Sequence, residues 1–348
     1  MNARAEFAAA QAAMTRNWGD NVFAREGGDV EAYFELRRRA YLKRWGEALP
    51  FVPPGAALLD LGGGNLFPAL FDVLRAHGVR TYDYMDVDPA AVEGSRALAL
   101  AAGCDPARII EGFNDELPYP DACFEAVFSS HCIEHSFDLD KTFTELRRVL
   151  KPGGVLLMAV PFGWELNPEH PYFFGPDEWA VLVEDHGFSL RAATIGNIYP
   201  ENGSDYFIAA ERTDAPAKRR RLSAAAYRKQ SYSFLPFTDA RFEYHGDWDR
   251  KPEHAIGMGP SSVLQIKVPA GVSEVWPIVA RHDWSGVAGC AWGKQELEVS
   301  LFSRISYVQP FRLSAPAQPR ETTLTLKPLR AEPCGWSAQV VVHGMMFA

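Results

Sequence analysis

Short apolar runs alternate with amphipathic segments between Ala56 and Arg212, and each pair predicts a strand followed by a helix. The apolar runs have the length of buried strands, and the segments between them repeat apolar positions at helical spacing. The predicted strands are Ala57–Asp60, Thr81–Asp86, Arg108–Glu111, Ala126–Ser129 and Val155–Val160. The predicted helices are Leu66–His77, Ala90–Ala102, Asp140–Leu150 and Asp177–Asp185. This alternation predicts a doubly wound, mostly parallel α/β sheet with helices on both faces.

The pattern differs on either side of that region. Residues 1–50 have apolar positions at helical spacing, and we expect them to form an N-terminal helical lid or cap over the domain at 51–212. Residues 213–235 contain the basic run Lys218–Arg221 and are expected to be a linker. From residue 236 to 348, short alternating runs separated by Pro, Gly, Ser and Asp predict an all-β, sandwich-like module.

Composition restricts the class of protein. The formal net charge of −9 and the isoelectric point near 5.5 argue against nucleic acid as a partner. Five cysteines without a CxxC pair favour a reducing compartment over a disulfide framework. No apolar run approaches the ~20 residues of a membrane helix, so we expect a cytoplasmic protein with no stable membrane insertion. The oligomeric state stays open.

The stretch Leu58-Leu59-Asp60-Leu61-Gly62-Gly63-Gly64-Asn65 carries the first chemical signal. A strand, a glycine turn and a helix together build nucleotide sites at the carboxyl edge of parallel sheets. A dinucleotide fingerprint would have its third glycine at position 67, where this chain has Phe67. The next strand ends at Asp86, at the distance where a carboxylate meets ribose hydroxyls. These positions indicate an adenosine-bearing ligand other than a nicotinamide or flavin cofactor.

Five blocks in order resemble class I S-adenosylmethionine-dependent methyltransferases. They are Leu58–Asn65, Met85–Pro89, Glu111–Phe124, Val127–His135 and Glu145–Gly154. The resemblance covers residues from about 55 to 212 and implies a Rossmann-like fold. It also implies S-adenosyl-L-methionine as cofactor and S-adenosyl-L-homocysteine as product.

The resemblance implies a set of cofactor-binding residues. They are Asp60, Gly62, Gly63, Gly64, Asp86, Val87, Phe113, Asn114 and Ser129. The glycines would let the backbone approach the methionine moiety and the ribose, and Asp60 would help to place the amino group. Asp86 would accept hydrogen bonds from the ribose, and Phe113 and Asn114 would lie beside the adenine. An aspartate is common in the family where this chain has Phe113.

The catalytic candidates are three histidines. His131 and His135 follow the fourth strand, whose carboxyl end would face the transferred methyl group, and His170 lies in the loop after the fifth strand. Histidine titrates near neutral pH and can deprotonate an attacking hydroxyl. His135 matches a histidine whose role in the family is often structural, so we favour His131 as the base. No metal ligand is assigned.

Two other classes of protein remain open. His131-x-x-Glu134-His135 is also the inverted zincin pattern, which would indicate a zinc hydrolase. A non-catalytic methyltransferase fold that serves as a scaffold for the β module is the second alternative.

The acceptor is inferred from the C-terminal module. Its five tryptophans are Trp248, Trp276, Trp284, Trp292 and Trp336. Tryptophan rings that are exposed on a β-sandwich can stack against the faces of sugar rings. We therefore expect a small-molecule or glycan acceptor, with O-methylation of a sugar hydroxyl in a surface polysaccharide, glycolipid or glycosylated metabolite.

Overall fold

A computed structural model divides the chain into two compact units. The first comprises Met1–Phe162 and Pro176–Ala224, and the second comprises Gly163–Gly175 and Ala225–Ala348. The structure describes residues 6–7, 9–10, 13, 30–64, 66–166, 170–196, 205–214, 221–333 and 337–348, without the side chains of 30–34. The functional boundaries at 1–50, 51–212, 213–235 and 236–348 remain predictions. Asn65, Trp336 and Lys218 to Arg220 lie outside the described residues.

The first unit contains a seven-stranded sheet. Its strands are β1 (Ala57–Leu61), β2 (Thr81–Asp86), β3 (Ile109–Glu111), β4 (Phe124–Ser130), β5 (Leu150–Pro161), β6 (Phe188–Gly196) and β7 (Asp205–Arg212). The order across the sheet is β3-β2-β1-β4-β5-β7-β6. β1 to β5 pair in parallel, whereas β7 is antiparallel to both of its neighbours. The strand order reverses between β1 and β4, and ligands of such sheets bind at this switch point, beyond the carboxyl ends of the strands.

Five α-helices lie in this unit from residue 30 onward. They are α1 (Val30–Ala48), α2 (Pro68–His77), α3 (Pro89–Ala101), α4 (Leu139–Val149) and α5 (Pro176–Asp185). Helix α2 has a proline in its first turn, Pro68, and ends at Gly78, whose φ is +84°. The Asp88 carboxylate caps α3 by accepting from the Ala90 N–H at 3.0 Å. The doubly wound, mostly parallel fold predicted from the sequence is confirmed.

Helix α1 packs on β4, the strand that precedes His131 and His135. The Trp45 ring stacks on Phe128 of β4 with centroids 3.9 Å apart, and the Tyr41 ring meets the same phenylalanine edge-on at 5.8 Å. Trp45 and Phe128 are both fully buried. Such aromatic pairs stabilise a fold beyond the apolar area that they bury, so α1 is an integral part of the first unit's core.

The second unit contains two antiparallel sheets. The strands of the first are β8 (Ser233–Pro236), β10 (Trp248–Arg250), β11 (Ala255–Met258), β13 (Glu274–Arg281), β16 (Tyr307–Pro310), β17 (Leu313–Ser314) and β19 (Gln339–Phe347). Those of the second are β9 (Phe242–His245), β12 (Val263–Val268), β14 (Val287–Trp292), β15 (Gln295–Ser300) and β18 (Thr322–Arg330). Inward side chains of both sheets, such as Val279 and Ile266, belong to one buried cluster. The predicted sandwich-like architecture of the C-terminal region is therefore confirmed.

The segment Gly163–Gly175 follows β5 in the chain but is part of the second unit. The Trp164 N–H donates to the Val308 carbonyl at 2.7 Å, and the Gln309 amide donates to the Phe173 carbonyl at 3.3 Å. Phe173 is fully buried and meets the Trp276 ring edge-on at 5.2 Å. The assignment of this segment to the second unit depends on tertiary contacts, and no periodicity in the sequence indicates it.

Among the described residues, no helix has the length and apolarity that a membrane span requires.

Candidate functional site

The three glycines after β1 serve different purposes. Gly62 and Gly64 have φ of +68° and +66°, in the left-handed region that favours glycine. A Cβ on Gly62 would lie 2.2 Å from the Cys132 Sγ, and one on Gly63 would lie 2.4 Å from the Tyr41 hydroxyl oxygen. A Cβ on Gly64 would meet no atom within 4 Å. The first two glycines are thus required by the protein's own packing, whereas the third exposes backbone that a ligand can approach.

Asp86 lies at the end of β2 and faces this turn. Its carboxylate accepts from the Gly64 N–H at 3.3 Å, the Tyr84 hydroxyl at 2.7 Å and the Asp88 N–H at 2.9 Å. Burial raises the pKa of Asp86, although these hydrogen bonds act in the opposite direction. Because Asp88 caps α3, helix capping does not explain Asp86. Val87 is half-buried between the two acids.

Asp60 is more enclosed than the sequence suggested. It is fully buried, and its carboxylate accepts from the Tyr82 hydroxyl at 2.6 Å and from the Tyr41 hydroxyl at 3.0 Å. Burial raises the pKa of Asp60 to about 7, despite both tyrosines. The carboxylate therefore connects α1, β1 and β2 beneath the glycine turn. Its expected contact with a ligand amino group remains a prediction.

The other expected cofactor residues lie near the same edge. Asn114 donates to the Ser136 hydroxyl at 3.0 Å and accepts from the Thr142 hydroxyl at 3.4 Å. The Ser129 hydroxyl donates to the Leu61 carbonyl at 3.3 Å. Phe113 is half-buried and forms an isolated β-bridge with Glu116.

His131 begins the loop after β4 in a strained conformation. Its φ is +52°, a region that residues other than glycine rarely adopt, and its N–H donates to the Ala159 carbonyl of β5 at 2.8 Å. The His131 Nε2 lies 3.4 Å from the Oδ2 of Asp205, the first residue of β7. The Asp205 carboxylate also accepts from the buried Arg44 guanidinium of α1. Burial would raise the pKa of Asp205, but His131 and Arg44 together hold it below its ordinary value.

Glu134 lies between the two histidines of the loop. It is buried, and its Oε1 is 3.7 Å from the His131 Nδ1 and 3.8 Å from the His135 Nε2. Neither carboxylate oxygen of Glu134 accepts a hydrogen bond from the part of the chain that the structure describes. Both distances are too long for hydrogen bonds. Glu134 is therefore a buried acceptor beside the predicted base.

The local structure does not form the helix that the zinc pattern requires. Two histidines one turn apart on an α-helix can bind the same metal ion. Here Ile133–His135 is a three-residue 3-10 turn, and His131 lies before it at the end of a strand. The described segment from His131 to His135 thus lacks the helical arrangement on which the hydrolase alternative depended.

His170, the third candidate base, lies in the second unit. Its Nδ1 contacts the Glu165 carboxylate, and the Lys229 ammonium donates to the Glu165 carbonyl at 2.7 Å. Burial lowers the pKa of Lys229 to about 8. His131 and His135 lie beside Glu134 in the first unit, and His170 belongs to the second unit, where it contacts Glu165.

Sequence reasoning missed Asp205 and Arg44. An antiparallel strand next to β5 begins where β5 ends, and the pairing of Pro161 with Asp205 places this acid at the carboxyl edge. The available signal was an acid directly before the apolar run Tyr206–Ala210. No comparable signal marked Arg44, because its burial depends on the packing of α1.

The residues of this edge fit an adenosyl sulfonium ligand. Gly64 leaves open space beside a left-handed turn, and Asp86 presents a carboxylate next to it. A carboxylate at this position can accept from ribose hydroxyls, since its two oxygens offer about four lone-pair sites. The Asp86 carboxylate and the open backbone at Gly64 thus suit a sugar-bearing, positively charged ligand.

Comparison with known proteins agrees with this geometry. The family described as "Methyltransferase domain" matches residues 59–158. The 27-O-demethylrifamycin SV methyltransferase of Amycolatopsis mediterranei is 30% identical over 197 residues, which cover 54% of this chain and 70% of that protein. The ubiquinone/menaquinone biosynthesis C-methyltransferase UbiE of Brucella anthropi is 29% identical, with coverages of 40% and 55%. The ajmaline N-methyltransferase of Rauvolfia serpentina is 31% identical, with coverages of 30% and 38%.

These relatives are named for methyl transfer to oxygen, carbon and nitrogen. The similarity therefore establishes methyl transfer from S-adenosylmethionine without fixing the acceptor atom, and the chain spans less than two thirds of the latter two relatives. The glycine turn, the acid that ends β2 and the family match lead to one conclusion: the chain belongs to the class I S-adenosylmethionine-dependent methyltransferases.

Proposed function

We propose that this methyltransferase methylates a hydroxyl group of a small-molecule or glycan acceptor, with His131 as the general base. The observation that carries this proposal is the contact of the strained His131 with buried Asp205 at the carboxyl edge of β4. Strained residues that the surrounding structure holds in place cluster at functional sites.

The first unit's own residues would hold the cofactor. Gly64 would offer backbone to the methionine and ribose portion, and Asp86 would accept from the ribose hydroxyls. Phe113 would contribute apolar surface near the adenine. When bound, S-adenosylmethionine supplies an electrophilic methyl group that is already activated, so the protein must mainly align the acceptor and remove its proton.

His131 would remove the acceptor proton. Its imidazole ring would take up that proton with the Asp205 carboxylate 3.4 Å from Nε2. The imidazolium that forms would be stabilised by Asp205 and Glu134, which lie on opposite ring nitrogens. His135 lies on the other side of Glu134, 3.8 Å from its Oε1.

One observation favours a hydroxyl acceptor, and a second favours the hydroxyl of a sugar in particular. The rifamycin relative is named for methylation at an oxygen atom. In the second unit Trp284 is 53% exposed, and its ring lies 4.6 Å from that of His282. Trp276 and Trp292 are buried, and Trp248 is half-buried. Support for sugar stacking among the described tryptophans therefore comes mainly from Trp284.

The test is methylation of an acceptor panel by the full chain. Sugars, glycolipids, phenols, hydroxylated macrolides and amines would be incubated with labelled S-adenosylmethionine, and mass spectrometry would locate the methyl group. Transfer to hydroxyl oxygens that His131→Gln lowers about 100-fold or more, with S-adenosylmethionine affinity retained, is the expected result. Methylation confined to carbon or nitrogen acceptors would refute the proposed chemistry. A Trp284→Ala variant with unchanged activity on sugars would refute the role of that ring.

A further inference from the structure

Glu134 is a buried carboxylate that receives no hydrogen bond from the described part of the chain. Its side chain is 2% exposed, and neither Oε1 nor Oε2 has a donor among the described residues. Native proteins leave few buried polar atoms unpaired, because such an atom loses its hydration without compensation. An ionised carboxylate is especially costly in this state. Packing alone therefore does not explain why a glutamate occupies this position.

Glu145 of α4 shows how a carboxylate with a structural role is bound in the same unit. It accepts from the Arg148 Nε at 2.8 Å, from the Arg148 Nη2 at 2.8 Å and from the Leu117 N–H at 2.9 Å. The hydrogen bonds from Arg148 hold the pKa of Glu145 below its ordinary value, although burial acts in the opposite direction. Glu134 has no comparable set of donors in the described part of the chain.

Glu134 lies beside two partly exposed rings at the carboxyl edge of β4. Its Oε1 is 3.7 Å from the His131 Nδ1 and 3.8 Å from the His135 Nε2, and the two histidine side chains are 12% and 21% exposed. A molecule that contacts the exposed part of these rings therefore comes close to the Glu134 carboxylate. Because His131 is the proposed base, that molecule is the methyl acceptor.

Two further buried oxygen atoms near His131 have no hydrogen-bond partner among the described residues. They are the Oγ of Ser130, the last residue of β4, and the Oδ1 of Asp205, whose Oδ2 lies 3.4 Å from the His131 Nε2. Ser130 and Asp205 are 6% and 2% exposed. Carboxylate oxygens accept hydrogen bonds and do not donate them. The oxygens around His131 thus suit a ligand that supplies donors, and they disfavour one with a negative charge.

We propose that Glu134 binds the methyl acceptor by accepting a hydrogen bond from a second donor group, next to the hydroxyl that is methylated. The inference rests on the proposed function and names its substrate class: a vicinal diol, as in a sugar ring, or an amino alcohol. Both supply a donor that an ionised carboxylate binds more strongly than a neutral group would. Glu134 is thus a specificity-determining residue, and a phosphate or carboxylate on the neighbouring carbon of the acceptor is disfavoured.

The first measurement needs no acceptor. Urea unfolding of the full chain at neutral pH, followed by tryptophan fluorescence, compares Glu134→Met with Glu145→Met. Methionine has a similar volume and no charge, so Glu134→Met removes an unpaired carboxylate and its urea midpoint should equal or exceed that of the wild type. Glu145→Met breaks the hydrogen bonds to Arg148 and Leu117, and its midpoint should fall. A midpoint that falls as far in Glu134→Met as in Glu145→Met would show a structural role for Glu134 and overturn the proposal.

The second measurement compares matched acceptors. Each hydroxyl acceptor that the wild type methylates is paired with a deoxy analogue, which lacks the neighbouring hydroxyl, and with an amino analogue, which has an ammonium group there. Methyl glycosides supply such sets. The wild type should lose about 10- to 100-fold in kcat/KM with the deoxy analogue. Whichever of the diol and the amino analogue has the higher kcat/KM identifies the donor that Glu134 accepts.

The variants show whether this preference depends on Glu134. Glu134→Met should remove the preference for the second donor, and Glu134→Gln should restore part of it, because the amide oxygen still accepts a hydrogen bond. The matched control is Glu93→Gln, an exposed residue of α3, which should keep the wild-type preference.

The inference and the proposed function fail in different ways. If hydroxyl groups are methylated but Glu134→Met keeps the wild-type preference, or the wild type has none, the role of Glu134 is overturned and the proposed function remains. Methylation confined to carbon or nitrogen atoms would overturn the proposed function, and this inference with it.

Discussion

Replacing Asp60 by Asn tests how the glycine turn is supported. The Asp60 carboxylate is fully buried among the Tyr41 and Tyr82 hydroxyls, and burial raises its pKa from 3.8 to about 7. An amide has nearly the same shape and can still accept from one hydroxyl, but it has no charge at any pH. The variant therefore removes the titration and keeps most of the packing.

The sign follows from the proton balance. Because the folded-state pKa is raised, folded Asp60 keeps a proton that the unfolded chain has already released between pH 4 and 7. This contribution to stability is fully present below pH 4 and is lost as the pH rises through 7. At about 1.4 kcal/mol per pH unit within that window, the loss between pH 5 and pH 8 is about 2.5 kcal/mol.

The assay is urea unfolding of the wild type and Asp60→Asn at pH 5, 6, 7 and 8, followed by tryptophan fluorescence. Groups common to both proteins cancel in the difference. We expect the variant to gain about 2.5 kcal/mol relative to the wild type from pH 5 to pH 8. The control is Asp72→Asn, an exposed carboxylate on α2, for which no such trend is expected. A difference between wild type and Asp60→Asn that is constant across this range would refute the reasoning.

Three further predictions concern the same edge of the sheet. Gly62→Ala places a methyl group 2.2 Å from the Cys132 Sγ, in a backbone that is left-handed. Gly64→Ala meets no such atom and causes only backbone strain of about 1–2 kcal/mol. The urea concentration at the unfolding midpoint should therefore be well below that of Gly64→Ala for the Gly62→Ala protein. Gly64→Ala should still weaken S-adenosylmethionine binding by calorimetry, because its methyl enters the open space beside the turn; full affinity would mean that no ligand approaches there. Trp45→Ala, which empties the stack on Phe128, should lower the free energy of unfolding by about 3–5 kcal/mol in the same urea assay, and a loss below 1 kcal/mol would show that α1 is loosely packed.

Local sequence signals predicted the helix and the strands that surround the predicted cofactor site. Pro68 and Gly78 bounded α2 because proline and glycine act on the backbone of the residues where they occur. Thr81–Asp86 was predicted with the bounds that β2 has. In the second unit, β12 has the alternation of buried and half-buried residues on which the all-β prediction depended, but β14 is buried at most positions and has no such period.

The surroundings of His131 were harder to predict from the sequence because tertiary packing builds them. The pairing of Arg44 with Asp205 joins residues 161 positions apart, and neither lies in a motif. The His131 backbone is left-handed although the residue is not a glycine. The segment Gly163–Gly175 lies in the second unit although the chain around it belongs to the first. Such features follow from which surfaces meet, and a local pattern does not encode them.

The central claim is that the adenosyl ligand binds beside Gly64 with its ribose held by Asp86. Its most direct test is titration calorimetry of S-adenosylmethionine with the wild type and Asp86→Asn. The wild type should bind one ligand, and the variant should lose on the order of 2–3 kcal/mol, about 30- to 150-fold in Kd, because the charge-assisted hydrogen bonds to the ribose are weakened. Equal dissociation constants for the two proteins would contradict this account of the site.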